Sequence, residues 1–296
     1  MEALLARMLE AWRTSRDPAL EDAIVCVGRT LARARGPLVV VEGEASPAAV
    51  WFEVAARRDA GDVDRLLDVR WTNTIPAMAP RIAVLAEFPP DPRIARKLAV
   101  VARTLPTKGG TAVHTAIVAI LRASATPSIL ANLRVVAAGC GQRQRGLYRQ
   151  VEAALAERVV SAADPALIAE AHARVGDGRE LAALWVDHAA DPFDLHRRAV
   201  LADALELASD PRGELIQLQL AIADGALDRR LHARVRRLLA VHLDEWIGPL
   251  PNVDRDSVRF ARGFPVALSC RAGDQDLASA IARHEWRTLE ALALGA

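Results

Sequence analysis

Three observations on this 296-residue sequence predict a mainly α-helical chain with a small α/β end. A short polar residue followed by proline and an apolar run recurs seven times, and between those points apolar residues fall three and four apart. After residue 257 the spacing changes to period two. The predicted architecture is a HEAT-like α-solenoid or an irregular helical array over residues 1–190. A small α/β capping domain over 191–296 follows it and ends in a leucine-rich-repeat-like strand.

The helix starts are Asp17-Pro18, Ser46-Pro47, Asp91-Pro92, Thr126-Pro127, Asp164-Pro165, Asp191-Pro192 and Asp210-Pro211. An Asp, Ser or Thr oxygen accepts from an otherwise orphaned N–H of the first turn, and proline at the first helical position has no N–H to leave unsatisfied. Ile94, Leu98, Val101 and Leu105 then share one face, as do Ile129, Leu133 and Val136. The starts at 91, 126 and 164 are 35 and 38 residues apart, the length of one helix pair with its turns. Unmarked helices fit from Gly61, from Thr111 and over 144–160.

In "SVRFARGFPVALSC" (257–270), Val258, Phe260, Phe264, Val266, Leu268 and Cys270 share one side, which only Arg262 interrupts. This predicts two short strands around a tight turn at Arg262-Gly263, or one strand with a bulge. The final "LEALALGA" carries Leu289, Leu292 and Leu294 in the L-x-x-L-x-L spacing of a leucine-rich-repeat strand.

Composition bounds the function classes. The net charge is +1 and 52% of residues are hydrophobic, so the chain can build ample cores and has no global bias toward nucleic acid or anionic lipid. Cys26, Cys140 and Cys270 are isolated and odd in number, which fits neither a disulfide framework nor a zinc pair and suits a reducing cytoplasm. The first 22 residues carry charges in every turn, unlike a signal peptide, and no apolar run approaches the length of a membrane span. A soluble cytoplasmic protein is expected.

The segments "RRAVLADALELASDPRGELIQLQLAIADG" (197–225), "WIGPL" (246–250), "FARGF" (260–264) and "HEWRTLEALAL" (284–294) resemble, in order and spacing, the bacterial repeat-companion domain, which accompanies leucine-rich or other repeats. The resemblance covers about 100 residues and is carried most specifically by Asp210, Pro211, Arg212, Gly213 and Glu214. Ala204 stands where the family's first motif has tryptophan. The resemblance implies no catalytic activity; read from the residues themselves, the segment makes sense as a capping element in which these five positions are structural. Glu214 suits a helix N-terminus, and Gly213 allows a second backbone to come close.

Asp187, His188, Asp191, Asp194 and His196 form the densest ligand-type cluster, but Asp191 is needed as a cap and the histidines flank a turn, so no metal site is expected. "HEWRT" from His284 lacks the second histidine of a zinc-protease helix, Thr288 standing in its place. "TKGGT" (107–111) lacks the order of a phosphate loop, whereas "GCGQRQRG" (139–146) offers Arg143 and Arg145 at a helix start that could meet an anion. The strongest charge feature is the helix 228–243, where Leu231, Val235, Leu238 and His242 make an apolar-leaning face and Arg230, Arg234 and Arg237 line another, flanked by Arg229 and Arg236.

No catalytic residue, metal or cofactor is assigned. The expected function is a non-enzymatic protein-protein interaction or scaffold module with an unidentified protein partner and no membrane attachment. The alternative is a nucleic-acid-binding helical-repeat protein that grips phosphates with the arginines of helix 228–243. Aromatic residues for base stacking are not interleaved there.

Overall fold

The computed structural model describes residues 1–38, 46–71, 74–106, 110–139, 142–175, 178–248, 250, 253–271 and 284–295. Contacts divide the chain into two compact units, Met1–Val175 and Gly176–Ala296. Among the described residues no helix is long and apolar enough to cross a membrane.

The first unit is helical throughout: α1 (Glu2–Ser15), α2 (Pro18–Arg35), α3 (Pro47–Ala56), α4 (Val63–Leu67), α5 (Ile75–Leu85), α6 (Pro92–Val101), α7 (Thr111–Ser124), α8 (Leu130–Gly139), α9 (Gln142–Ala156) and α10 (Pro165–Val175). Four of its proline-marked starts have the predicted side-chain cap. Asp17 accepts from the N–H of Ala19 at 2.7 Å, Ser46 from Ala49 at 3.2 Å, Asp91 from Arg93 at 2.9 Å and Asp164 from Ala166 at 2.9 Å. Pro127 opens a single 3-10 turn, Pro127–Ile129, ahead of α8. Helix α5 has no counterpart in the sequence reading and carries Pro80 in its interior.

Two apolar clusters build this unit. One gathers α3 to α9 around residues such as Trp51, Met78, Leu98, Ile117 and Tyr148. The other joins Leu5, Met8 and Trp12 of α1 and Ile24 of α2 to Leu167 and Ala171 of α10, so the last helix of the unit packs against the first two. Backbone and side chain reinforce that closure: the Ser161 N–H donates to the Ser15 carbonyl at 2.9 Å, and the Ala163 N–H to Asp17 at 2.7 Å.

Helix α2 also carries buried polar contacts. Glu21 is 1% exposed and accepts from Arg96, Thr126 and Ser128, the last at 2.8 Å. Two turns further along, Gly28 passes an interior ion triad. Arg93 meets Asp91 through Nε at 3.0 Å and Nη2 at 2.6 Å, and meets Asp64 through Nη1 at 2.6 Å. A Cβ on Gly28 would lie 2.2 Å from Asp64 Oδ2 and 2.4 Å from Arg93 Nη1, so the helix can approach the triad only with glycine there.

The second unit runs α11 (Gly178–Ala190), α12 (Leu195–Leu207), α13 (Pro211–Ala223), α14 (Arg229–Trp246), β1 (Val253–Ala261), β2 (Phe264–Cys270) and β3 (Ala291–Leu294). The sequence reading put the boundary near residue 190, but α11 belongs here because Leu181, Leu184 and Trp185 pack on Leu201, Leu205, Ile216 and Phe264. Asp191-Pro192, an expected helix start, does not open α12. Asp191 accepts from the Phe193 N–H at 3.3 Å in a turn, and Asp194, nearer the apolar run, caps α12 by accepting from His196 and Arg197 at 2.8 and 3.2 Å.

The sheet has the order β1-β2-β3. Strands β1 and β2 are antiparallel about Arg262-Gly263, with Ala261 opposite Phe264. Both turn residues have positive φ, 51° and 86°, the mirror-image turn that suits the twist of a hairpin. Arg262-Gly263 is therefore the tight turn between two strands and not a bulge in one; the register slips elsewhere, between Asp254 and Arg259 and again between Arg259 and Phe260. Strand β3 lies parallel to β2, with Ala267 opposite Ala291 and Cys270 opposite Leu294. Leu289 and Leu292 pack with Leu268, Cys270 and Trp286, whereas Leu294 is exposed.

Candidate interaction surface

Helix α14 lies on the second unit with Val235, Leu238, His242 and Trp246 turned inward, against Leu215 of α13. His242 stacks on Trp246 with centroids 5.0 Å apart, which makes it a core residue. The opposite side of the helix is solvated. Arg229, Arg230, Arg234, Arg236 and Arg237 are all exposed. Arg234 grips Glu214 with two bonds, Nε at 2.5 Å and Nη2 at 2.6 Å. Arg229, Arg230, Arg236 and Arg237 have no ion-pair partner among the described residues. Arg229 and Arg236, like Arg230 and Arg237, are seven residues apart, which sets each pair two helical turns apart on one line, about 10 Å along the axis.

The Asp-Pro-Arg-Gly-Glu run that precedes this surface is structural at each polar position. Asp210 caps α13 by accepting from the Arg212 N–H at 2.9 Å. The Arg212 guanidinium is buried over Phe264, Trp185 and Trp246 at 5.1, 5.5 and 5.8 Å from their centroids, and its Nε donates to the Gly263 carbonyl at 3.2 Å. A Cβ on Gly213 would sit 2.6 Å from the Ala202 carbonyl oxygen and 2.7 Å from the Glu206 nitrogen, so glycine sets the close crossing of α12 and α13. Glu214 holds Arg234. Gln219 completes the seam: its Oε1 accepts from the Gly263 N–H at 2.7 Å and its Nε2 donates to the Phe260 carbonyl at 3.2 Å. The start of α13 and the hairpin turn at Gly263 thus meet.

The histidine and aspartate cluster is dispersed. His188 is fully buried with its ring 4.5 Å from that of Phe264, while His196 is exposed, Asp187 pairs with Arg197 at 3.1 Å and Asp194 serves its cap. Among the described residues no group of three or more His, Cys, Asp or Glu side chains is placed to hold a metal ion. Burial pulls the His188 imidazole down to about 4, and the nearby Arg198 and Arg212 charges pull the same way against the weaker effect of Asp187 and Asp191. Arg198 is itself buried over Phe264, 5.1 Å from its centroid, and its guanidinium is lowered to about 10, by burial first and then by Arg262. Sequence periodicity gave no sign of this basic and aromatic core, because nothing local tells a buried arginine from a solvated one.

A pH effect follows from His188. Unfolded, the imidazole takes a proton near pH 6.5; folded, it resists until about pH 4, so the unfolded chain binds more protons across that window. Acidification from pH 6.5 to 4 should therefore lower the stability of the second unit through this group, by at most about 3 kcal/mol. Urea unfolding at both pH values checks this, with His188→Phe expected to flatten the dependence.

The remaining sequence motifs have plain fates. Of "TKGGT", residues 107–109 with Lys108 lie outside the described residues, as do Cys140 and Gly141 of "GCGQRQRG". Arg145 donates Nε to the Ala137 carbonyl at 2.9 Å. The "HEWRT" segment forms a 3-10 turn in which Trp286 and Thr288 are buried and Thr288 Oγ1 donates to the Pro265 carbonyl at 3.0 Å. No family model, no curated protein and no solved structure matches the chain.

Proposed function

We propose that the protein is a non-enzymatic interaction module whose second unit docks an acidic protein surface on the arginine face of α14. The observation that carries this reading is the set of four exposed arginines with no acidic partner among the described residues, on a helix whose other side is fully used by the core. A solvated helix ordinarily intersperses both charge signs. Here the first nine helical positions hold five arginines and no carboxylate. The same face would also attract a nucleic-acid backbone, and that is the second reading.

The resemblance to the repeat-companion domain supports an accessory, partner-bound role for the second unit in the cytoplasm. For the first unit, an irregular helical array is favoured over a HEAT-like solenoid. A solenoid repeat touches only its neighbours, whereas α10 packs on α1 and α2.

The test is affinity capture from the native lysate with the full chain and with the Arg230→Glu/Arg237→Glu variant, half of each sample treated with nuclease. Capture of a protein that survives nuclease and falls at least tenfold in the variant is the expected result. Nuclease-sensitive material alone would transfer the surface to nucleic acid. Both positions are exposed, so the variant should unfold within about 0.5 kcal/mol of the wild type.

A further inference from the structure

In the first unit, α8 and α9 enclose an open hollow of about 350 Å³, lined by Arg134, Ala137, Ala138, Arg145, Arg149 and Glu152. Three guanidinium groups thus face one carboxylate. That carboxylate is engaged, since Arg134 Nε donates to Glu152 Oε1 at 2.9 Å across the hollow. Arg145 is tied to the Ala137 carbonyl through Nε. Arg149, one turn from Arg145 on the same face of α9, is exposed and has no ion-pair partner among the described residues. Like charges at this spacing repel and weaken a helix. Their placement around a hollow with a third arginine opposite favours an anion between them.

We propose that this hollow binds a small phosphate monoester. Among the described residues the lining holds three arginines and Glu152, a net charge of two positive units, which matches a phosphoryl dianion. Guanidinium forks pair with phosphoryl oxygens through two parallel N–H bonds, a geometry that ammonium groups cannot offer. Ala137 and Ala138 leave an apolar wall for the carbon skeleton of the ester, and the volume is within the range of small-molecule sites. Because the hollow is open, binding will be weak and will fall with salt. This site is independent of the α14 surface.

Titration calorimetry of the full chain with glycerol 3-phosphate at constant ionic strength tests it, with glycerol as the uncharged control. Saturable binding of the phosphate ester alone is expected, weakened at least tenfold by Arg149→Glu and less by Arg149→Gln, and unchanged in Arg230→Glu/Arg237→Glu. Thermal melts of both Arg149 variants should match the wild type. No saturation up to about 10 mM, equal binding by the Arg149 variants, or equal loss in the α14 variant would overturn the proposal; that last result would mark a diffuse charge effect. The α14 reading stands or falls separately, on protein capture.

Discussion

Arg93→Met should destabilise the first unit by about 3–5 kcal/mol, the cost of leaving buried charges unmatched when one partner of an interior ion pair is removed. Arg93 and Asp91 are 3% exposed, and the guanidinium also reaches the Ala60 carbonyl at 2.9 Å, so the substitution strands acceptors on three segments together. Burial already pushes the Asp64 carboxyl above its usual range, against the pull of Arg93. Without that arginine it should take up a proton more readily, and the folded state would bind protons that the unfolded state does not. The deficit should therefore shrink as the pH falls toward the ordinary carboxylate range. Urea unfolding at pH 7 and pH 5 measures both effects. Arg93→Met/Asp64→Leu should recover part of the loss; a double variant no more stable than Arg93→Met would refute the account.

Gly263→Ala should lower the stability of the second unit by about 2–4 kcal/mol, through two separable causes. The residue has φ 86°, where an L side chain is strained, and an added Cβ would lie 2.1 Å from Ile216 Cγ1 and 3.2 Å from the Ile216 Cα. The side-chain atom can rotate away, but the backbone atom cannot. Any retreat of the turn would also stretch the bonds from Gly263 to Gln219 and Arg212. Adding Ile216→Ala should remove only the Cγ1 contact and leave both the close approach to the Ile216 Cα and the φ strain, at the cost of an apolar contact in the core. Thermal unfolding followed by tryptophan fluorescence reports the change. A loss below about 0.5 kcal/mol would show that the turn does not need its seat on α13.

Local chemistry made much of the secondary structure legible in the sequence. Capping oxygens and prolines act within one turn, and so Pro18, Pro47, Pro92, Pro165 and Pro211 mark helix starts that the structure contains. Period-two alternation likewise revealed the hairpin, and the turn pair Arg262-Gly263 revealed where it reverses. Asp191 misled because Asp194, an equally good acceptor, stands three residues closer to the apolar run. Helix α5 drew no expectation from the sequence: Pro80 falls in its interior, where proline loses a hydrogen bond and crowds the carbonyl four residues back, yet Met78, Ile82 and Leu85 hold the helix in the core.

The arginine face of α14 was readable because five like charges lie within nine residues. Arg93, Arg198 and Arg212 look no different in sequence from those five. Their burial depends on partners 29, 66 and 51 residues away in Asp64, Phe264 and Gly263. The hollow between α8 and α9 was half visible: Arg145 stood out beside glycines, but Arg134 and Arg149 acquire meaning only when two helices are laid side by side.

The packing of α10 on α1 and α2 makes the stability of these helices mutual. Met1 and Val175 both rest on the apolar cluster that holds the two helices together, and Arg7 reaches Glu170 at 3.0 Å across the same junction. Each of α1 and α10 is thus the cover of the other: loosening either uncovers apolar side chains of its neighbour, so the two should open together as one cooperative unit.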